Sequence, residues 1–271
     1  MTPPGRLGRA FETVRRQRRG AFIPFLTSGF PDLVESDRLA EAICEEGADA
    51  LELGVPFSDP IADGPVIQRT TEAALRAGTT LAHVLGQAMR LRARHETPLV
   101  LMTYLNPILR YGAARFAADA STAGVDGLVL VDLPPEEERS LWEDIRREGI
   151  DTIPLVAPTT EPSRLPRLLE KARGYVYVVA RMGVTGRGSG DEAVDSLLAR
   201  CRTLTEAPRC LGFGIGLETP IERYRGKAEG VIVGSALLDS ILVAADARER
   251  EASARRFVRE FRKKLPGLAP L

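Results

Sequence analysis

Three carboxylates, Glu52, Asp59 and Asp63, fall within one short stretch, Leu51 to Gln68 (LELGVPFSDPIADGPVIQ). The stretch opens as an apolar strand with Glu52 inside it, breaks at Gly54 and Pro56, and carries the two aspartates in the loop that follows. Side chains alternate along a strand, so Ala50, Glu52 and Gly54 share one face while Leu51, Leu53 and Val55 share the other. An unpaired carboxylate on a buried face costs on the order of several kcal/mol, so stability alone does not account for Glu52. Burial also raises a carboxyl pKa toward neutrality, which suits a group that both gives and takes a proton. A structural ion pair or a solvated strand end would produce the same spacing.

The elements that must position these groups alternate along the whole chain. Strands are expected at Ala21–Ser28, Ala48–Pro56, Pro98–Leu105, Gly127–Asp132, Asp151–Ala157, Tyr175–Arg181, Arg209–Ile215 and Gly230–Val233. Helical patterns fall between them: up to Glu46, Pro65–Ala77, Leu81–His95, Ala113–Ala123, one opened by Pro134 and Pro135 with Glu136, Glu137 and Glu138 in its first turn, Pro162–Ala172, Asp191–Leu204, Pro220–Tyr224 and Arg250–Lys264. Most of the strands are continuous apolar runs, as expected where both faces are covered. Eight such units in 271 residues, with no linker or shift in composition, predict one (β/α)8 TIM barrel domain over residues 1–271 with an additional N-terminal helix. An open, doubly wound sheet is the alternative architecture, though it usually has fewer strands.

Composition removes several classes of function. Hydrophobic residues make up 44%, enough for a large core, and 37 basic residues balance 37 acidic ones, so no global field favours nucleic acid or an anionic membrane. The arginines from Arg15 to Arg19 read as a solvated helix face. Cys44, Cys201 and Cys210 are scattered and odd in number, the pattern of reduced thiols in a cytoplasmic protein. There is no leader pattern and no apolar run long enough to span a bilayer. With His83 and His95 the only histidines, a histidine triad or a multi-histidine metal centre is not expected.

In barrels of this class, chemistry gathers at the C-terminal ends of the strands. Those ends carry Glu52 with Asp59 and Asp63, then Tyr104 and Asn106, Asp132, Tyr175 and Tyr177 leading to Arg181, Gly212-Phe213-Gly214, and Gly234-Ser235. Glycines after the seventh and eighth strands, with a helix opening at Ser235, point to a phosphate site, although tight barrel turns alone also use glycine. There is no Walker-type Gly-Lys-Ser/Thr motif, and no G-x-G-x-x-G follows the first strand. The loop Met182–Gly190 (MGVTGRGSG) has the composition of a lid that closes over substrate, or of a surface loop with no role. The residues alone thus lead to a barrel enzyme that binds a small phosphorylated molecule and uses carboxylate acid/base chemistry without metal. They do not name the substrate.

These blocks together resemble the tryptophan synthase alpha chain family. The resemblance rests on LELGVPFSDPIADGPVIQ and on AFIPFLTSGFPD, LMTYLNP, VDLPPEE, YVYVVARMGVTG, GFGI and VGSAL, in order across nearly the whole chain. It implies cleavage of indole-3-glycerol phosphate to indole and glyceraldehyde 3-phosphate by retro-aldol chemistry. Residue by residue, it implies that Glu52 is the acid/base and that Asp63 takes the indole N–H, with Tyr177 near the reacting groups. Phe22 and Leu101 are expected at the apolar indole slot, Phe213 as a further substrate-binding residue, and Thr185 as a lid threonine closing onto Asp63. Gly186, Gly214, Gly234 and Ser235 match the phosphate-binding stretch. Pro56, Asp59 and Pro134 match surfaces that dock a beta chain in an alpha2beta2 tetramer.

The same resemblance implies no cofactor in this chain, since pyridoxal phosphate would belong to the beta partner. Departures from the family pattern occur at Met182, at Gly216, over Leu217–Gly226 and at Ser28-Gly29-Phe30. None of them removes a catalytic carboxylate. The alternatives to an alpha subunit are a stand-alone indole-3-glycerol phosphate lyase of specialised metabolism and a non-catalytic phosphate-binding regulatory subunit.

Overall fold

The computed structural model describes residues 5–180 and 189–268, with the side chains of residues 189 and 190 excepted. Nine parallel strand segments form one sheet: β1 (Ala21–Thr27), β2 (Leu51–Gly54), β3 (Leu99–Thr103), β4 (Gly127–Leu130), β5 (Asp151–Thr152), β6 (Leu155–Val156), β7 (Val176–Val179), β8 (Arg209–Gly212) and β9 (Gly230–Val233). Their spatial order is β5-β4-β3-β2-β1-β9-β8-β7-β6. The two outermost segments are consecutive in the chain, with only Ile153 and Pro154 between them. Ile153 N–H donates to Leu128 O at 3.0 Å on one side, and Pro154 O accepts from Tyr177 N–H at 2.9 Å on the other. The sheet therefore closes on itself as a (β/α)8 barrel. The single fifth strand expected from the sequence appears as two halves because proline has no N–H to donate to a ladder.

The helices are α1 (Arg6–Arg16), α2 (Leu33–Glu45), α3 (Pro65–Arg76), α4 (Leu81–Arg92), α5 (Leu105–Tyr111), α6 (Ala113–Thr122), α7 (Arg139–Arg147), α8 (Leu165–Leu169), α9 (Ser189–Leu204), α10 (Ser235–Leu242) and α11 (Ala247–Arg262). The additional N-terminal helix, α1, buries Leu7, Phe11 and Val14. Leu7 lies against Gly127 and Gly174, and the Phe11 ring centroid is 6.0 Å from that of Tyr175. Thus α1 plugs the N-terminal mouth of the barrel. Asp32 caps α2 by accepting the N–H of Glu35 at 2.8 Å, and Thr80 and His83 form a capping box on α4. That box gives His83 a structural task.

Several elements differ from the sequence reading. The third strand stops at Thr103 and α5 begins two residues later, its first N–H held by Asp132 Oδ1 at 2.8 Å. The apolar run LMTYL conceals that switch. No helix opens at Pro134: residues 134–138 form a turn, and α7 starts at Arg139 with Glu138 as its cap, accepting the Ser140 N–H at 3.2 Å. The expected helix at Pro162–Ala172 is only the short α8. After β8 a single 3-10 turn, Ile221–Tyr224, stands where a barrel helix would be. It is followed by Gly226 at φ 71°, and a second 3-10 turn, Leu265–Leu268, packs against it.

Candidate active site

Glu52 is fully buried on the inner face of β2. Phe25 of β1 and Val100 of β3 flank it in register, so these three side chains share the barrel interior. The Tyr175 hydroxyl donates to Glu52 Oε1, and Glu52 Oε2 is buried without a hydrogen-bond partner. Among the described residues no cation pairs with this carboxyl. Burial pushes its pKa up to about 8, against a smaller downward pull from the Tyr175 hydrogen bond. Near neutral pH, Glu52 therefore rests as the acid.

Asp63 lies in the loop after β2, just before α3. Its carboxylate has Tyr104 beside it, whose hydroxyl accepts the Ala62 N–H at 3.1 Å. Burial raises Asp63 to about pKa 6, partly offset by that tyrosine. The two carboxyls are thus tuned apart, one neutral and one ionised at pH 7, as acid/base pairs require. Asp63, Phe25, Thr27, Gly54, Met102 and Tyr104 are among the residues lining a narrow cleft open at the C-terminal rim. Glu52 lies one step deeper on the same strand face as Gly54.

Tyr177 is buried beside Tyr175, with ring centroids 6.5 Å apart, and meets Phe213 edge-on at 5.6 Å. Phe213 holds φ at +62°, a left-handed conformation that costs a non-glycine residue on the order of 1 kcal/mol or more. The outlier stands at the rim, between β8 and the turn at Gly214, itself at φ +78°. Gly234 precedes α10 and supplies no side-chain cap, so the first N–H groups of the helix, from Ser235 on, face the rim unspent. Strands β8 and β9 are paired neighbours, which brings Gly214 near Gly234 and Ser235. Thr185 and Gly186 lie outside the described residues, as does Met182. The Gly216 N–H is taken by Thr219 Oγ1 at 2.9 Å.

Two expectations for the apolar slot need correction. Phe22 is buried but stacks on Phe261 of α11, with centroids 4.8 Å apart, so its ring faces the helical layer and not the barrel interior. Leu101 pairs in register with Leu53, on the strand face opposite Glu52 and Gly54. Phe25 and Met102 occupy the inner face and line the cleft instead. Both errors are errors of face, and counting in twos from Glu52 along properly registered strands would have found the right residues. Of the expected docking residues, Asp59 is exposed and Pro134 partly so, whereas Pro56 is buried and shapes the loop from within. Ile61, which the sequence reading passed over, is 86% exposed on the same loop. The cysteines are all free and buried, and the described residues contain no group of side chains suited to hold a metal ion. Among them, no helix is long and apolar enough to cross a membrane.

Comparison with known proteins agrees with this geometry. A family model described as tryptophan synthase alpha chain matches residues 11–265. A tryptophan synthase alpha chain of Solibacter usitatus is 44% identical over 259 residues, covering 95% of this chain and 97% of the relative. One from Geobacter sulfurreducens is 47% identical over 234 residues, covering 86% and 89% respectively. The solved tryptophan synthase subunit alpha of Legionella pneumophila superposes with a TM-score of 0.85 at 33% identity, covering 97% of this chain and 98% of that one. Matched over residues 11–265 by the family model and at 44% identity over 95% of its length by a relative, this barrel, with one cation-free carboxyl lining a cleft at its C-terminal rim and another below it, belongs to the tryptophan synthase alpha chain family.

Proposed function

We propose that the chain, working as one domain, cleaves indole-3-glycerol phosphate to indole and glyceraldehyde 3-phosphate. The observation that carries this reading is the state of Glu52: fully buried, without a counter-cation, raised to about pKa 8 and set just below the cleft that Asp63 lines. A neutral Glu52 gives its proton to the ring carbon that bears the side chain. The ring becomes an indolenine cation, and ionised Asp63 stabilises the charge through the ring N–H. The Glu52 carboxylate then takes the proton of the adjacent hydroxyl. As that O–H breaks, the bond between ring and chain breaks, its electron pair returns to the ring, and a carbonyl forms on the departing fragment. Glu52 ends as it began, so the cycle consumes no proton.

Tyr175 holds the resting Glu52, Tyr177 and Phe213 wall the site, and Phe25 and Met102 are the slot for the ring. Gly214, Gly234 and Ser235, with Gly186, hold the phosphate, and Thr185 closes onto Asp63 once substrate is bound. Asp59, Ile61 and Pro134 face a beta subunit, which would carry the pyridoxal phosphate in an alpha2beta2 assembly and receive the indole. Indole release by the purified chain, with and without an added tryptophan synthase beta chain, tests this directly. Slow release that the beta chain accelerates is the expected result. Fast release unaffected by the beta chain would make the protein a stand-alone lyase, and no release in either condition would overturn the reading.

A further inference from the structure

The hydroxyls of the cleft have their protons committed in one direction. Thr27 ends β1, is 1% exposed and lines the cleft on the same strand face as Phe25. Its Oγ1 is 2.8 Å from Thr70 Oγ1 on α3. Thr70 Oγ1 is also 2.9 Å from the carbonyl oxygen of Ile67, which can only accept. A threonine hydroxyl has one proton. Both contacts are hydrogen bonds only if Thr70 donates to Ile67 and Thr27 donates to Thr70. The Thr27 proton then points away from the cleft, and its lone pairs face into it. Thr103 donates to the Tyr104 carbonyl at 3.2 Å. Two threonine hydroxyls on this side of the cleft therefore offer acceptors and no protons. Thr71, also on the wall, has no such commitment.

Position decides what Thr27 would meet. Strand β1 lies between β2, which carries Glu52, and β9, which leads into Gly234 and Ser235. A molecule with its ring near Asp63 and its phosphate at Gly234 must lay its connecting chain along the end of β1. We propose that Thr27 is a specificity-determining residue that accepts a hydrogen bond from a hydroxyl of the substrate's three-carbon chain, with Thr70 as the positioning residue that fixes it as an acceptor. This rests on the reading of the cleft as a site for indole-3-glycerol phosphate. A chain hydroxyl satisfies Thr27, whereas an analogue without one leaves the oxygen desolvated and unpaired.

The test uses two ligands: indole-3-glycerol phosphate as substrate, and indole-3-propanol phosphate, which keeps ring and phosphate but has no chain hydroxyls, as competitive inhibitor. The readout is the ratio of KM for the first to Ki for the second. Thr27→Val is expected to raise that ratio about tenfold, the cost of one uncharged hydrogen bond. Thr27→Ser should restore the wild-type ratio, and Thr70→Val should give an intermediate value because the Thr27 rotor is released. An unchanged ratio in Thr27→Val overturns the proposal; if that variant does not fold, an unchanged ratio in Thr70→Val does so. A loss common to both ligands also overturns it, since that marks a packing role. A wild-type chain that neither cleaves the first ligand nor binds the second defeats the functional reading itself, and the proposal falls with it.

Discussion

At the N-terminal ends of the strands, Asp49, Asp126 and Glu229 each stand just ahead of a strand and accept a backbone N–H from the strand beside it. Asp49 takes the Phe22 N–H at 2.9 Å, Asp126 that of Leu99 at 2.9 Å and Glu229 that of Arg209 at 2.7 Å. Each also has an arginine: Arg19 grips Asp49 with two nitrogens at 2.6 and 2.7 Å, Arg92 meets Asp126 at 2.7 Å, and Arg209 closes on Glu229. Arg19, expected from sequence to be part of a solvated face, is thus committed to the barrel floor. At the C-terminal ends, Glu52 and Asp63 have one tyrosine each and no cation. Even with Arg92 and the Leu99 N–H, burial leaves Asp126 above the ordinary carboxylate range. Without a cation, Glu52 goes to about 8. Asp49, Asp126 and Glu229 each meet an arginine and a backbone donor, whereas Glu52 and Asp63 meet neither, although burial also raises Asp151 on the lower rim to about 6.

The sharpest way to break this contrast is Glu52→Gln. Cleavage should fall about a thousandfold, within the range that positioned proton transfer supplies, while the chain folds at least as well. The sign follows from the pKa. Folded Glu52 titrates near 8 and the unfolded group near its ordinary 4.5. Between those values the folded chain keeps a proton that the unfolded chain releases. Stability therefore falls as pH rises through that window, by at most about 1.4 kcal/mol per unit. Glu52→Gln removes this slope, so its advantage in denaturant melts should grow from pH 5 to pH 8. A variant less stable than wild type at pH 8 would show that the upper rim is as structural as the lower.

Asp63→Asn should reduce cleavage about a hundredfold, the usual loss of one electrostatic stabiliser. It should also remove the acid limb of the kcat/KM profile, which in the wild type is expected near pH 6, where Asp63 must ionise, with an alkaline limb near pH 8, where Glu52 loses its acid form. Asp49→Asn addresses the lower rim. It leaves Arg19 short of its counter-ion and should cost about 2–3 kcal/mol in stability while keeping kcat of the folded enzyme within about twofold. A large loss of kcat without a loss of stability would erase the distinction. The smallest effect is expected from Tyr175→Phe. Its hydroxyl pulls the Glu52 pKa down, so its removal should move the alkaline limb upward.

Much of this architecture can be read from the sequence because strand and helix alternate with clear punctuation, and Glu52 stands out as a carboxylate inside an apolar run. The side of each strand that faces the interior cannot be read in the same way. In a closed barrel both faces are covered, so the two faces of β1 and β3 are equally apolar and hydropathy does not tell Phe22 from Phe25, or Leu101 from Met102. Glu52 marks the inner face of its own strand only; the register that carries the mark to β1 and β3 is a fact of three dimensions. The proton commitments of Thr27 and Thr70 are hidden for the same reason, since they join residues 43 apart in sequence.

The interrupted fifth strand bears on a different hazard. A barrel normally escapes sheet aggregation by having no edge, but here closure depends on segments β5 and β6, each paired over two residues on one side only. If this closure loosened, the barrel would expose two short edges to any other extended chain. Pro154, which breaks the ladder, sits between those edges and has no N–H to offer. The residue that makes the joint short also makes it a poor template for strand addition, so the weakest part of the ring is protected against recruiting a second molecule.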